Sequence, residues 1–267
     1  MGSLAENRPM WVSIPGMDKG DIRAIFTTRH GGVSSFPFGT LNLSFQRGDS
    51  REIVIENFRR LSERTGISME KMVLSRQVHG SEIKIVNKRH SGMGLATEHT
   101  LGETDGLITA ERGVALVTFY ADCTPIYLYD RVKNIIGLIH SGWRGTLLNI
   151  SAKAVETMKR EFNCKGENII AALGPHIRKC CFEVGNEVYQ DFLRVFPDCN
   201  SLMRPLNRKW VIDLSGIIIS SLVKAGLDEN QIQDIGRCTV CEKELFFSHR
   251  GGPGNTGTGA ALLMMVE

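Results

Sequence analysis

The chain has 267 residues, 42% hydrophobic and 23% charged, a composition that suits a globular protein with a sizeable core. Its net charge of +3 is small and its Lys and Arg residues are scattered, so charge gives no argument for a nucleic-acid partner. No apolar stretch reaches ~18 residues, which excludes a transmembrane helix, and Met1 to Arg8 lacks the apolar core of a signal peptide.

Seven cysteines without an export signal imply reduced thiols and a cytoplasmic protein. In chain order, Ile22 to Thr28 reads as a strand, ending at the glycine-marked loop Arg29-His30-Gly31-Gly32. Arg29 reads either as a surface charge or as an anion ligand at a strand end. Phe36 to Phe45 is a compact apolar loop. Arg51 to Thr65 predicts an amphipathic helix with Ile55, Phe58 and Leu61 inward and a stop at Gly66.

Met72 to Val78 and Glu82 to Asn87 read as two strands in a hairpin or a bulged strand, with His79 and Gly80 at the turn. Residues 88–103 are polar and glycine-rich, and they are expected to form a surface loop without a site. Asp105 is expected to cap the turn into the strand around Gly106 to Thr109.

The central stretch follows. Val114 to Tyr120 is almost wholly apolar, as expected of a strand buried on both faces. Ile126 to Tyr129 and Ile135 to Ile139 are expected to continue the same sheet. Cys123 follows Ala121-Asp122, and His140 ends the last run. Thr146 to Phe162 has helical spacing, with Gly145 or Thr146 as its cap, which would place Arg144 beside free amides as an anion site. The Gly142-Trp143-Arg144-Gly145 turn is no nucleotide-binding fingerprint.

Ile169 to Leu173 reads as a buried strand and Glu187 to Phe196 as a helix. A strand over Trp210 to Leu214, a helix from Ser215 to Ala225 and a strand at Ile232 to Ile235 follow. Cys238-Thr239-Val240-Cys241 is one C-x-x-C motif, and a closed zinc site needs four ligands. Cys180 and Cys181 could complete it, but simple burial of these cysteines is the preferred reading.

His79, Cys123 and His140 are metal ligands of suitable softness at strand ends, and two His with one Cys make an acceptable catalytic zinc set. Their long separations leave two alternatives open. One is a buried Cys123 with two unrelated histidines; the other is a Cys123 nucleophile with His140 as its base.

Several blocks together resemble the bacterial YfiH/YlmD family, often labelled laccase-domain or polyphenol oxidase proteins. They are Thr27 to Ser34, Arg76 to Gly80, Thr104 to Thr109, the stretch around Asp122 and Cys123, His140 to Thr146, Gly174 to Gly185, and Cys238 to Arg250. The resemblance implies a single mixed α/β domain over 1–267, with sheets packed between helices. It implies zinc, with copper as the alternative metal, bound by His79, Cys123 and His140.

It also implies phosphorolysis of adenosine, inosine, guanosine and methylthioadenosine, plus adenosine deamination. The expected partners are therefore a purine nucleoside and phosphate, with no nucleic acid or membrane. Arg29, Arg144 and Arg250 are the phosphate candidates, and Asp122 would move a proton or orient a ligand. The family also carries two other readings, hydrolysis of peptidoglycan precursors and copper-dependent oxidation of phenols. Seven histidines are too few for a multicopper centre. One departure stands out: the family tail has Thr-Gly-Arg, whereas this chain reads Thr256-Gly257-Thr258.

Overall fold

Alternation along one apolar run sets the architecture. Leu116 and Tyr120 pack into one core, while Ala115, Val117 and Phe119 pack into another. A strand with apolar residues on both faces needs a layer on each side. The computed structural model describes residues 8–252 and 254–267; the N-terminal segment read for a signal peptide lies, up to residue 7, outside the described residues.

The first strands are β1 (Trp11–Ser13) and β2 (Ile22–Thr27), followed by α1 (Arg51–Thr65). Next come β3 (Met72–Leu74), β4 (Ile83–Ile85), β5 (Gly106–Thr109), β6 (Ala115–Tyr120), β7 (Thr124–Asp130) and β8 (Ile135–Ser141). Two helices, α2 (Trp143–Leu147) and α3 (Ile150–Phe162), precede β9 (Ile169–Leu173) and β10 (Glu183–Val184). The chain continues through α4 (Asn186–Val195), β11 (Met203–Leu206), β12 (Lys209–Ile212), α5 (Leu214–Lys224), β13 (Ile232–Asp234) and β14 (Gly259–Met265).

Among the described residues three sheets result, with strand orders β1-β2-β14-β6-β3, β13-β9-β7-β8-β5-β4 and β10-β12-β11. The two large sheets face each other across Phe26, Leu116, Tyr120 and Leu263 on one side and Tyr127, Ile136 and Leu138 on the other. Helix α1 covers the outer face of the first sheet through Val54, Phe58 and Leu61. Helices α3 and α5 cover the outer face of the second through Val155, Met158, Ile218 and Leu222. The expected domain of sheets between helices is therefore what forms. Among the described residues, no helix is long and apolar enough to cross a membrane.

Helix α1 has the expected bounds. The Ser50 side chain accepts from the Ile53 amide, and Gly66 ends the helix at φ 74°. Its buried face includes Val54 rather than the expected Ile55.

Four expectations are corrected. β3 and β4 form no hairpin: β3 pairs parallel with β6 in the first sheet, and β4 pairs parallel with β5 in the second. β7 and β8 do not extend the sheet of β6 but pair with each other in the second sheet. The chain therefore crosses between sheets at Ala121-Asp122-Cys123, and Asp122 takes the left-handed φ of 93° there. The long helix expected from Thr146 is two helices, because Asn149 adopts φ 56° and interrupts it. Arg144 thus lies on a five-residue helix capped by Gly142, not ahead of a long one.

Candidate metal centre and its cavity

His79, Cys123 and His140 reach one point from three different elements. His79 lies in the loop after β3, Cys123 in the crossover between sheets, and His140 near the end of β8. Their donor atoms all lie within 4.8 Å of one another. The two imidazole rings sit 5.0 Å apart at an interplanar angle of 77°. The three residues that sequence spacing could not join are therefore brought together.

The carboxylate that aims them is Asp105, which is fully buried. Its Oδ1 accepts from His140 Nδ1 at 2.8 Å and from the His79 amide at 3.0 Å. Its Oδ2 accepts from the amides of Val78 at 3.2 Å and Gly80 at 2.8 Å. A carboxylate can only accept from Nδ1, so Nδ1 carries the proton and Nε2 is left for the centre. The amide bonds also hold His79 at φ 60°, a left-handed conformation unusual for a non-glycine residue. Asp105 therefore does more than cap a turn. A sequence signal for it existed: an Asp just before the first glycine of a buried strand.

The donor set fits a single metal ion of borderline softness. It offers two imidazoles and one sulfur at ligand spacing, one ring already fixed by a carboxylate. Gly142 passes close over the cluster, and a Cβ there would meet His79 Cδ2 at 2.9 Å and Cys123 Sγ at 3.0 Å. In the metal-free protein, burial opposes ionisation of Cys123, but His140 and His79 pull its pKa below the usual thiol value. Burial likewise opposes the His140 cation, but Cys123 and Asp105 raise its pKa. The pair is then thiolate and imidazolium, and a metal bound there would displace the Nε2 proton of His140.

The three ligands line a cavity of about 590 Å³. Phe45 and Phe119 give it apolar walls, and Arg47 and Arg76 bring cationic groups to it. Gln77 on the wall is fixed by bonds to the Phe119 amide and carbonyl at 2.7 and 2.8 Å. Gly94 and His99 also line the cavity, so the loop over 88–103, expected to hold no site, contributes to one. His99 is oriented by a 2.9 Å contact from Nε2 to the Leu74 carbonyl, and its buried Nδ1 has no partner.

The three arginines expected to bind phosphate are elsewhere, none of them on the cavity wall. Arg29 donates to the carbonyls of Gly39 and Lys243. Arg144 stacks on Trp143, its guanidinium 4.2 Å from the ring centroid. Arg250 donates to the Glu183 carbonyl at 2.9 Å. Carbonyls distant in the chain thus occupy Arg29 and Arg250, and the neighbouring Trp143 ring lies under Arg144. Asp122 also points away from the cavity: Oδ1 accepts from Thr239 Oγ1 at 2.7 Å and Oδ2 from the Arg250 amide at 2.6 Å. That geometry orients the crossover and leaves no oxygen aimed at the cavity.

Cys180, Cys181, Cys238 and Cys241 form a second group, with sulfurs all within 4.8 Å of one another. Simple burial does not describe it, because Cys180 and Cys241 are exposed. Of the four, Cys238 alone is buried as expected, and Cys181 is half-buried.

Comparison with known proteins gives concordant matches. The family model described as multi-copper polyphenol oxidoreductase laccase matches residues 23–266. Purine nucleoside phosphorylase YlmD of Geobacillus stearothermophilus is 37% identical over 234 residues, covering 86% of this chain and 85% of that protein. Adenosine deaminase RL5, from an unknown prokaryotic organism, is 32% identical over 232 residues, covering 86% of this chain and 88% of that protein. The crystal structure of the Bacillus licheniformis hypothetical protein YfiH superposes with a TM-score of 0.92 at 30% identity, covering 97% of each chain.

Proposed function

The chain belongs to the family described as multi-copper polyphenol oxidoreductase laccase, and from that premise we propose that it is a zinc-dependent purine nucleoside phosphorylase that also deaminates adenosine. The observation that carries this reading is the cavity of about 590 Å³ with His79, Cys123 and His140 at one end and Arg47 and Arg76 on its wall. Its size is within the range of small-molecule sites. The donor group supplies ligands for one ion, which fits a mononuclear zinc better than a multicopper electron path.

In phosphorolysis a phosphate oxygen bonds to C1′ as the C1′–N9 bond breaks, and the departing purine gains a proton. Arg47 and Arg76 would hold the phosphate. Phe45 and Phe119 present apolar surface for the purine ring. His99, oriented by its Nε2 contact to the Leu74 carbonyl, contributes to the wall beside the base. A zinc ion, when bound by His79, Cys123 and His140, supplies Lewis acidity for nucleophilic attack near neutral pH. The substrates assigned to the cavity are adenosine, inosine, guanosine and methylthioadenosine.

Arg47 also answers the departure at the tail. The resemblance leads one to expect an arginine at the position of Thr258, and Arg47 Nε donates to Thr258 Oγ1 at 3.0 Å. A guanidinium thus reaches the same corner from another loop.

The test is a product assay on metal-loaded protein. Adenine and ribose 1-phosphate should form from adenosine only with phosphate, and inosine should form without it. Chelation should abolish both, and zinc should restore them. Absence of any purine product from the loaded protein would end this reading. A hydrolase using Cys123 and His140 is favoured by the thiolate–imidazolium pairing of the metal-free state. It predicts the opposite result, turnover that survives chelation with Cys123 trapped by an electrophile.

A further inference from the structure

We propose that Cys180, Cys181, Cys238 and Cys241 form a second, closed metal site that holds one zinc ion and fastens together the two loops around Asp122. The four sulfurs lie within 4.8 Å of one another, with Cys180 and Cys181 at 3.6 and 3.5 Å from Cys241. Four thiolates around a tetrahedral zinc, each at about 2.3 Å, lie about 3.8 Å apart. A disulfide needs sulfurs at about 2.05 Å and joins only two of the four. The arrangement therefore has the size of a zinc tetrathiolate.

The backbone around the group is built for that convergence. Cys180 and Cys181 sit in a turn closed by the Cys181 amide donating to the Arg178 carbonyl at 2.8 Å. Cys238 and Cys241 sit in a turn closed by the Glu242 amide donating to the Cys238 carbonyl at 2.9 Å. A bridge between His176 and Cys238 brings the two turns side by side, supported by the Thr239 amide donating to the His176 carbonyl at 3.1 Å. Two of the four cysteines are exposed, and thiols in that state oxidise readily unless something holds them. Zinc suits four thiolates because it is redox-inert and imposes no geometry beyond the tetrahedron.

The position of the site gives it a task. Thr239, next to Cys238, donates to Asp122, and the Ile177 amide donates to the Asp122 carbonyl at 2.8 Å. The same two loops therefore hold Asp122 from both sides, and Asp122 precedes Cys123. A zinc ion here would cross-link positions 60 and 61 residues apart in the chain and stiffen the crossover that presents Cys123.

The experiment uses Cys123→Ala protein, purified without chelator from zinc-replete cells. The variant breaks the first centre, so metal that remains reports the second, whatever becomes of nucleoside turnover. Elemental analysis should find about one zinc per chain, and X-ray absorption should find four sulfur ligands and no nitrogen. Adding Cys241→Ser should remove that zinc. If this double variant fails to fold, cobalt substitution of Cys123→Ala protein should still give the intense visible bands of a tetrahedral cobalt thiolate. A metal-free Cys123→Ala protein, nitrogen ligands on its zinc, iron in place of zinc, or a disulfide from Cys241 to Cys180 or Cys181 in native peptide mass maps would each overturn the assignment.

Discussion

Asp105 and His140 share a hydrogen bond of 2.8 Å between two side chains almost wholly removed from solvent, 0% and 3% exposed. The same carboxylate accepts the amides on both sides of His79 and that of His79 itself. One acid thus sets the ring of one ligand and the backbone of another. Its pKa is lowered: burial opposes the charge, but the His140 bond and the amides of Gly80 and Val78 outweigh it. Asp105→Asn should weaken zinc binding by about 10–100-fold, the usual cost of losing a partner that orients a ligand. Competition with a chromogenic chelator measures this. Affinity unchanged in the variant would show that the histidines are aimed by something else.

The cavity arginines should separate from those outside it. Arg47→Ala and Arg76→Ala should each raise the KM for phosphate by about 10–100-fold, the range for losing a charge-assisted hydrogen bond of ~1.5–3 kcal/mol. Arg144→Ala, whose guanidinium lies over Trp143, should leave that KM within about twofold. Steady-state kinetics with phosphate varied decides the matter. A larger effect at Arg144 would return the phosphate to the α2 turn.

Gly142→Ala tests the tight approach over the centre. The backbone there, at φ −75°, is open to any residue, so alanine is not excluded by conformation. Its methyl group would press on His79 Cδ2 and Cys123 Sγ. The metal-free variant should melt close to wild type, whereas zinc affinity should fall by about tenfold or more. Calorimetry and metal titration read the two effects separately.

Acid stability should depend on Asp234. Its two oxygens accept from Arg178 Nη1 at 2.6 and 2.8 Å, and the Gly236 amide adds a bond at 2.9 Å. Burial raises the carboxyl pKa, but Arg178 and the Gly236 amide bring it below the ordinary value of 3.8. With the folded pKa below the unfolded one, the contribution is full above the unfolded pKa of 3.8 and is lost as pH falls through the folded value. Asp234→Asn should cost about 1–3 kcal/mol near neutral pH and flatten the acid limb of the stability profile. Urea unfolding across pH checks it; parallel profiles for the two proteins would contradict the account.

Local order was largely legible in the sequence. Weak alternation marks β2, an almost wholly apolar run marks β6, and helical spacing with a stop at Gly66 marks α1. What escaped depended on partners distant in the chain. The strands around His79 looked like a hairpin because they are close in sequence, but each buries its face in a different sheet. Asp105 looked like a turn residue because its partners at 78–80 and 140 are not its neighbours. The glycine-marked turns around Arg29 and Arg144 suggest anion sites, but composition does not say which way a guanidinium points, for these or for Arg250. Nothing local marks Arg47 as an anion ligand, and Arg76 heads the Arg76 to Gly80 block without any sign of the cavity that it lines.

The two halves of the donor set approach from opposite sides of the sandwich. His79 leaves the sheet of β3, His140 ends a strand of the facing sheet, and Cys123 is on the only described stretch joining β6 directly to β7. The donor set thus sits at the junction where the chain passes from one sheet to the other, and an ion held there would act as a latch on their relative slide.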